Sequence, residues 1–421
     1  MKESRLTHAR IRWVIIVAGA LTLTYLLAGA LTSASSIGRS DFTSFYGAAT
    51  LLRDGHGAGI YNPALQESMH RALVAPDRIG NLPFVDPPAA AAVLLPLTFL
   101  PLDLAYHVWA LMEFCLLGVA VMIAAASATW PARTPRRWKY AAVLAAMAGA
   151  GTYSVVVQAQ WTPFIALGLS LAYRQWRAGK NASGAFLLVV AAGLTKPHLA
   201  LVLGAFMLGW RDRRLLSGAL AGVAVAVLAN LAVAGPQGLT GFVNLALTSQ
   251  SQWALSTYSS FISIPALIFG NSSTTRVAAA VFALVACAVG WRLGSTVRRR
   301  ASRLEPALAA AALLSLLAAP HALLHDTVML APCVVWMLAW AASNLSSARM
   351  SRSPFMVAGA WGTITAAGLV SLVVGDAVPP GWIVSFALVA VAVPASFIAL
   401  APPRQRSYPL KPAAITATNL N

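Results

Sequence analysis

The chain has 421 residues, of which 58% are hydrophobic and only 10% charged, with a formal net charge of +18 and a mean hydropathy of +0.71. A soluble domain carries about 25% charged residues, so polar surface is too scarce here for a water-soluble protein of this size. The apolar residues recur in runs long enough to cross a hydrocarbon core of about 30 Å, which predicts an all-α polytopic membrane protein.

The first run starts at Arg12. "TSASS" follows it in the manner of a cleavage site, but the run is longer than the apolar core of a signal peptide and many more spans follow. It reads as a retained first helix. Spans are predicted at about 12–31, 103–128, 140–157, 161–174, 183–195, 198–210, 215–234, 275–294, 306–320, 326–343, 354–374 and 381–400, a bundle of about 12 helices. With the N-terminus inside, 24 of the 30 Lys and Arg fall in cytoplasmic segments, including "ARTPRRWK" and "VRRRASR"; Arg39, Arg53, Arg71, Arg78, Lys196 and Arg276 remain. This segregation follows the positive-inside rule and puts both termini in the cytoplasm. The basic charge thus reports orientation and gives no reason to expect nucleic acid as a partner.

Residues 86–102, "DPPAAAAVLLPLTFLPL", are apolar but broken by four prolines. Counting them as a span would turn "ARTPRRWK" outward, so they read as an interfacial or partly embedded helix. "LTKPH" breaks the chain between two short spans on the outer side. The two long outer stretches, 32–102 and 235–274, are too polar for lipid and too apolar for a free linker, which predicts juxtamembrane helices over the bundle. Cys115, Cys287 and Cys333 all lie in apolar runs and read as small core residues, not as a disulfide framework.

Charged side chains near a bilayer cost several kcal/mol unless paired or hydrated, so each on the outer side is a candidate. These are Asp41, Asp54, Asp77, Asp86, Lys196, His321, His325 and Asp326, from distant segments but all near outer helix ends. Each also has a plainer reading. Asp41 would serve as N-cap to a helix starting "FTSFYGAATLL". Asp54 in "RDGHG" suits a turn. Lys196 would snorkel. His321 and His325 share a helical face in "HALLHD", a spacing metals use, but no Cys or HExxH accompanies them and no metal is predicted. Glu113, inside the second span, is expected to be paired within the bundle. Phosphate-loop, dinucleotide and nucleophile-elbow motifs are absent, so no cofactor is predicted.

In order along the chain, these pieces resemble the polytopic GT-C glycosyltransferases and, within them, glycosyltransferase family 87. The resemblance rests on "DFTSFYGAATLLRDGHGAGIY" (41–61), "FVDPPAAAAVLLPLTFLPLDLAYHVW" (84–109), Gln160 in "VVQAQWTPFIALGLSLA", Lys196-Pro197 and "APHALLHD". It covers residues 12–345, taken as a catalytic membrane domain (1–345) followed by two further spans and a short tail (346–421). Asp86 departs from the tyrosine or asparagine usual at its position.

The resemblance implies transfer of a hexose, usually mannose, from a polyprenyl-phosphate donor to a lipid-linked or glycan acceptor, with inversion, at the outer face of the plasma (inner) membrane. A phosphate leaving group, with a second pKa of about 6, needs little protonation, so one base suffices. Asp41 is the expected base. Lys196, His321 and His325 are the expected contacts to the donor phosphate, and Tyr46, Tyr61, Gln160 and Asp86 the expected substrate-binding residues. Two other classes stay open at this point: a transporter or flippase of lipid-linked sugars, and a glycolipid-binding protein that no longer catalyses.

Overall fold

A computed structural model describes residues 2–75, 82–248, 254–343, 353–375 and 380–401. Of the residues named above, Asp77 and Arg78 lie outside them, as do Arg349, Arg352, Arg404, Arg406 and Lys411 of the 24 basic residues counted as cytoplasmic. The described residues are helical, with no strand among them.

Helix α1 (Lys2–Ala30) leads into a short α2 (Ala34–Ile37), then α3 (Asp41–Arg53) and α4 (Pro63–Val74). Asn62 starts α4 as its N-cap, its side chain accepting from Ala64 N (2.9 Å), with Pro63 at the first helical position. Then come α5 (Pro88–Val93), α6 (Leu102–Ser127), α7 (Arg136–Met147), α8 (Ala150–Gln158), α9 (Thr162–Arg177), α10 (Asn181–Leu194), α11 (Leu201–Trp210) and α12 (Arg213–Thr248). The chain ends through α13 (Ser263–Phe269), α14 (Ser273–Arg299), α15 (Leu304–Ala318), α16 (Ala331–Ser343), α17 (Ser353–Val374) and α18 (Gly381–Leu400).

Among the described residues, eight helical segments are long and apolar enough to cross a membrane, or nine if α7 and α8, bent by 57° at their junction, make one span. This is a multi-pass membrane protein. The predicted count of about 12 is not reached, because three of the predicted spans are short. Helices α9, α10 and α11 have 16, 14 and 10 residues. At 1.5 Å per residue, a 14-residue helix reaches about 21 Å, less than the hydrocarbon thickness. Most of α9 is buried, while α10 is largely half-buried and α11 leaves Leu201 and Leu208 exposed; the Lys196-Pro197 break joins these last two.

Two cores form. The larger surrounds α15, every residue of which is buried. Helices α11 and α14 meet there along glycines: a Cβ on Gly294 would lie 1.9 Å from Phe206 O, and one on Gly209 2.0 Å from Trp291 O. Lipid gives no hydrophobic drive between helices, so close backbone approach of this kind is what holds them. The smaller core is aromatic and packs against α3, joining Phe42, Phe45, Phe84, Tyr106, Trp109 and Trp161.

The proline-broken stretch 86–102 folds as α5 followed by a 3₁₀ turn at Leu95–Phe99, not as a span. A polar residue inside α12 holds it there. Asn230 accepts from Ala89 N (2.8 Å) and donates to Ala226 O (2.8 Å), which seats the start of α5 against α12 and fixes the approach to Asp86. Helix α12 bends at Gly235 (φ 66°), the conformation glycine tolerates, with Pro236 next. Its last turns carry Phe242 onto Tyr61.

Predicted cytoplasmic segments meet one another. Arg177 bonds Thr129 Oγ1 and lies 3.6 Å from Glu305, Ser343 bonds Thr129 O, and Arg303 reaches Ile398 O. Two expectations need correction. Among the cysteines only Cys333 is buried, while Cys115 is exposed on the outside of the helix layer. Glu113 is buried, but among the described residues neither of its carboxyl oxygens has a hydrogen-bond partner.

Candidate functional site

Helix α3 starts at Asp41, and Ser40 occupies the N-cap position. Asp41 thus lies one residue past the N-cap position, where Ser40 turns its hydroxyl back to Ile37 O (2.7 Å), and the Asp41 carboxylate accepts from Gln160. Phe42 and Phe45 anchor this end, their rings 5.7 Å from Tyr106 and 5.4 Å from Trp161. Asp41 itself keeps an open edge.

Two glutamines meet Asp41. Gln158 Oε1 accepts from its backbone N–H (3.1 Å), and Gln160 Nε2 donates to its carboxylate. Between them Ala159 takes a left-handed conformation (φ 54°, ψ 55°), uncommon for a residue with a Cβ. That reversal ends α8 and aims both flanking side chains at one place. Trp109 secures it by donating from Nε1 to Ala159 O (3.1 Å). Strain held by surrounding structure in this way often marks a working site.

A second cluster forms where the Lys196-Pro197 break meets the residues after α15. Lys196 Nζ donates to Asp326 Oδ1 (2.7 Å) and stands 3.0 Å from His325 Nε2. Thr162 Oγ1 donates to the same Asp326 oxygen (2.6 Å), and Leu323 N–H to the other (2.9 Å). Asp326 is fully buried and Lys196 is 5% exposed. A buried carboxylate is tolerable only with such company. If Lys196 keeps its charge, His325 Nε2 accepts from it and the imidazole proton sits on Nδ1. Helix α9 begins at Thr162 here and ends at Arg177 near Glu305, so this cluster and the basic end of the bundle lie about 24 Å apart.

The two clusters share one electrostatic neighbourhood. Burial pushes the Asp41 carboxyl above the usual aspartate range, while Lys196 and the Gln160 hydrogen bond partly offset it. Burial lifts Asp86 further, to about 7, again against the pull of Lys196. The same effect brings His321 down to about 4, which leaves it neutral.

The predicted residues are thus not all alike in position. Asp41 and Gln160 touch, Lys196 and His325 touch, and Asp86 lies within reach of both clusters' charge. His321 packs against His198 (5.3 Å between rings) and Tyr258 (6.1 Å). The two tyrosines have their hydroxyls occupied: Tyr46 donates to Leu100 O (2.7 Å) and Tyr61 to Asp86 O (2.5 Å). Tyr61 thereby holds the Asp86 backbone, with Phe84 stacked on its ring at 5.8 Å. Gln158, Thr162 and His198 have no part in the sequence reading, and Asp326 enters it without a role. Its neighbour His325 was the available signal for Asp326, and the doubled glutamine of "VVQAQ" for Gln158. Among the described residues no three His, Cys, Asp or Glu side chains are grouped to hold a metal.

The sequence model of glycosyltransferase family 87 matches residues 84–320, more than half of the chain. The chain belongs to glycosyltransferase family 87. It is a membrane glycosyltransferase, and its substrates are a sugar donor and an acceptor. No curated protein and no solved structure matches it. The family 87 match begins at Phe84 and ends at Pro320, so it takes in Asp86, Gln160 and Lys196 but not Asp41, His321, His325 or Asp326.

Proposed function

We propose that this family 87 enzyme moves a hexose, mannose by the family resemblance, from a polyprenyl-phosphate donor to a lipid-linked or glycan acceptor, with inversion. The observation that carries this reading is the pairing of a partly open, glutamine-held carboxylate with a buried lysine–histidine cluster in one neighbourhood. Asp41 removes the proton of the acceptor hydroxyl. The acceptor oxygen attacks the anomeric carbon from the face opposite the phosphate, the bond from that carbon to the phosphate oxygen breaks, and polyprenyl phosphate departs with the electron pair. Burial helps twice. It raises the proton affinity of Asp41, as a base at neutral pH needs, and it strengthens the attraction between Lys196 and charge gathering on the leaving phosphate. Asp86, its backbone held by Tyr61, serves as a substrate contact beside them.

The reaction face is outward, at the plasma (inner) membrane, because the site lies at the end of the bundle opposite the arginine-rich segments. In a background with the three native cysteines replaced by alanine, a cysteine at position 55 should label from outside intact cells, and one at 136 only after permeabilisation. External labelling at 136 would reverse the orientation. For the donor, purified protein supplied with a membrane lipid extract should transfer label from polyprenyl-phosphate mannose and not from a nucleotide-activated mannose. Transfer from the nucleotide sugar alone would overturn the donor class, and export of intact glycolipid without transfer would favour a flippase.

A further inference from the structure

Residues 254–262 cross the site end of the bundle as a strap held from two sides. On one side Ser259 N–H donates to Ala322 O (2.6 Å) and Phe261 N–H to Leu317 O (2.7 Å), which ties the strap to the segment carrying His321. On the other side is α18, which lies beyond the family match. Ser385 Oγ donates to Ser260 O (3.0 Å), and Gly381 comes so near that a Cβ there would lie 2.1 Å from Thr257 O.

The fixed strap presents Tyr258 edge-on to His321, whose other edge meets His198. Tyr258 has its ring packed and is 4% exposed, and its hydroxyl makes no hydrogen bond with another described residue. Ser259 Oγ and Ser260 Oγ beside it are buried and also unpartnered. Buried polar groups are almost always hydrogen-bonded, so the two buried hydroxyls left open next to Tyr258 mark a place where something polar comes to rest. Lys196 cannot supply that place alone, since Asp326 already compensates its charge at 2.7 Å. An arriving phosphate offers several oxygens and needs further N–H and O–H donors around them.

We propose that Tyr258 and His198 join His321 in binding the phosphate of the lipid-phosphate donor, with Ser385 of α18 as a positioning residue behind the strap. This rests on the donor class proposed above. The test is direct binding of farnesyl phosphate and of farnesol to the purified full chain. Tyr258→Phe and His198→Ala should each weaken farnesyl phosphate about tenfold, as loss of a hydrogen bond to a charged group does, and leave farnesol unchanged. Ser385→Ala should show the same selectivity with a smaller loss. Unchanged farnesyl phosphate affinity in Tyr258→Phe and His198→Ala would overturn the inference alone. Equal loss of both ligands would also overturn it, by making the strap part of the tail groove. Failure of the unsubstituted protein to bind farnesyl phosphate would remove the donor reading and the inference together.

Discussion

Lys196→Met should cost the protein about 3–5 kcal/mol of stability and most of its turnover. The stability loss follows from what the substitution leaves behind. Asp326 is fully buried, and without Lys196 its charge is met by Thr162, one backbone N–H and the neutral imidazole of His325 at 3.5 Å. Breaking a buried pair from one side is far more costly than removing both charges, because the remaining ion stays desolvated. The double variant Lys196→Met/Asp326→Asn should therefore recover much of the melting temperature in detergent, since the amide oxygen still accepts from Thr162. Turnover should stay low in both, because neither has a cation to meet the charge developing on the leaving phosphate. A single variant as stable as the unsubstituted protein would contradict the pairing. Full activity in the double variant would remove Lys196 from the donor site.

Much of this was legible in the sequence, and for physical reasons. Hydropathy and the scarcity of charge fix a helical membrane protein, because only paired backbone survives in hydrocarbon. The prolines of 86–102 correctly withhold a span there. The helix count is overestimated, since hydropathy measures apolar length and cannot tell lipid from protein as the surroundings. Helices α9 to α11 are apolar like the spans but too short to cross alone. The polar candidates were recognisable one by one, as charges out of place near a bilayer. Their partners were not: Lys196 and Asp326 lie 130 residues apart, and no periodicity links them. Glu113 shows the same limit from the other side, since a partner was expected and the fold supplies none. The strap at 254–262 carries no pattern at all. Its residues are ordinary serines and a tyrosine until α18 and the segment after α15 clamp them.

The most direct measurement of the central claim is label transfer by Asp41→Asn. Asparagine keeps the size of the side chain and an oxygen to accept from Gln160, and Ser40, not Asp41, sits at the N-cap, so α3 should form as before. Only the basicity is gone. Because burial raises the Asp41 pKa, transfer by the unsubstituted protein should fall on acidification at a higher pH than an ordinary aspartate would give, as the base takes up its proton. Transfer from polyprenyl-phosphate mannose should drop by about 10²–10⁴-fold in Asp41→Asn at every pH, with donor binding retained. An Asp41→Asn protein that transfers the label at the unsubstituted rate would contradict the account.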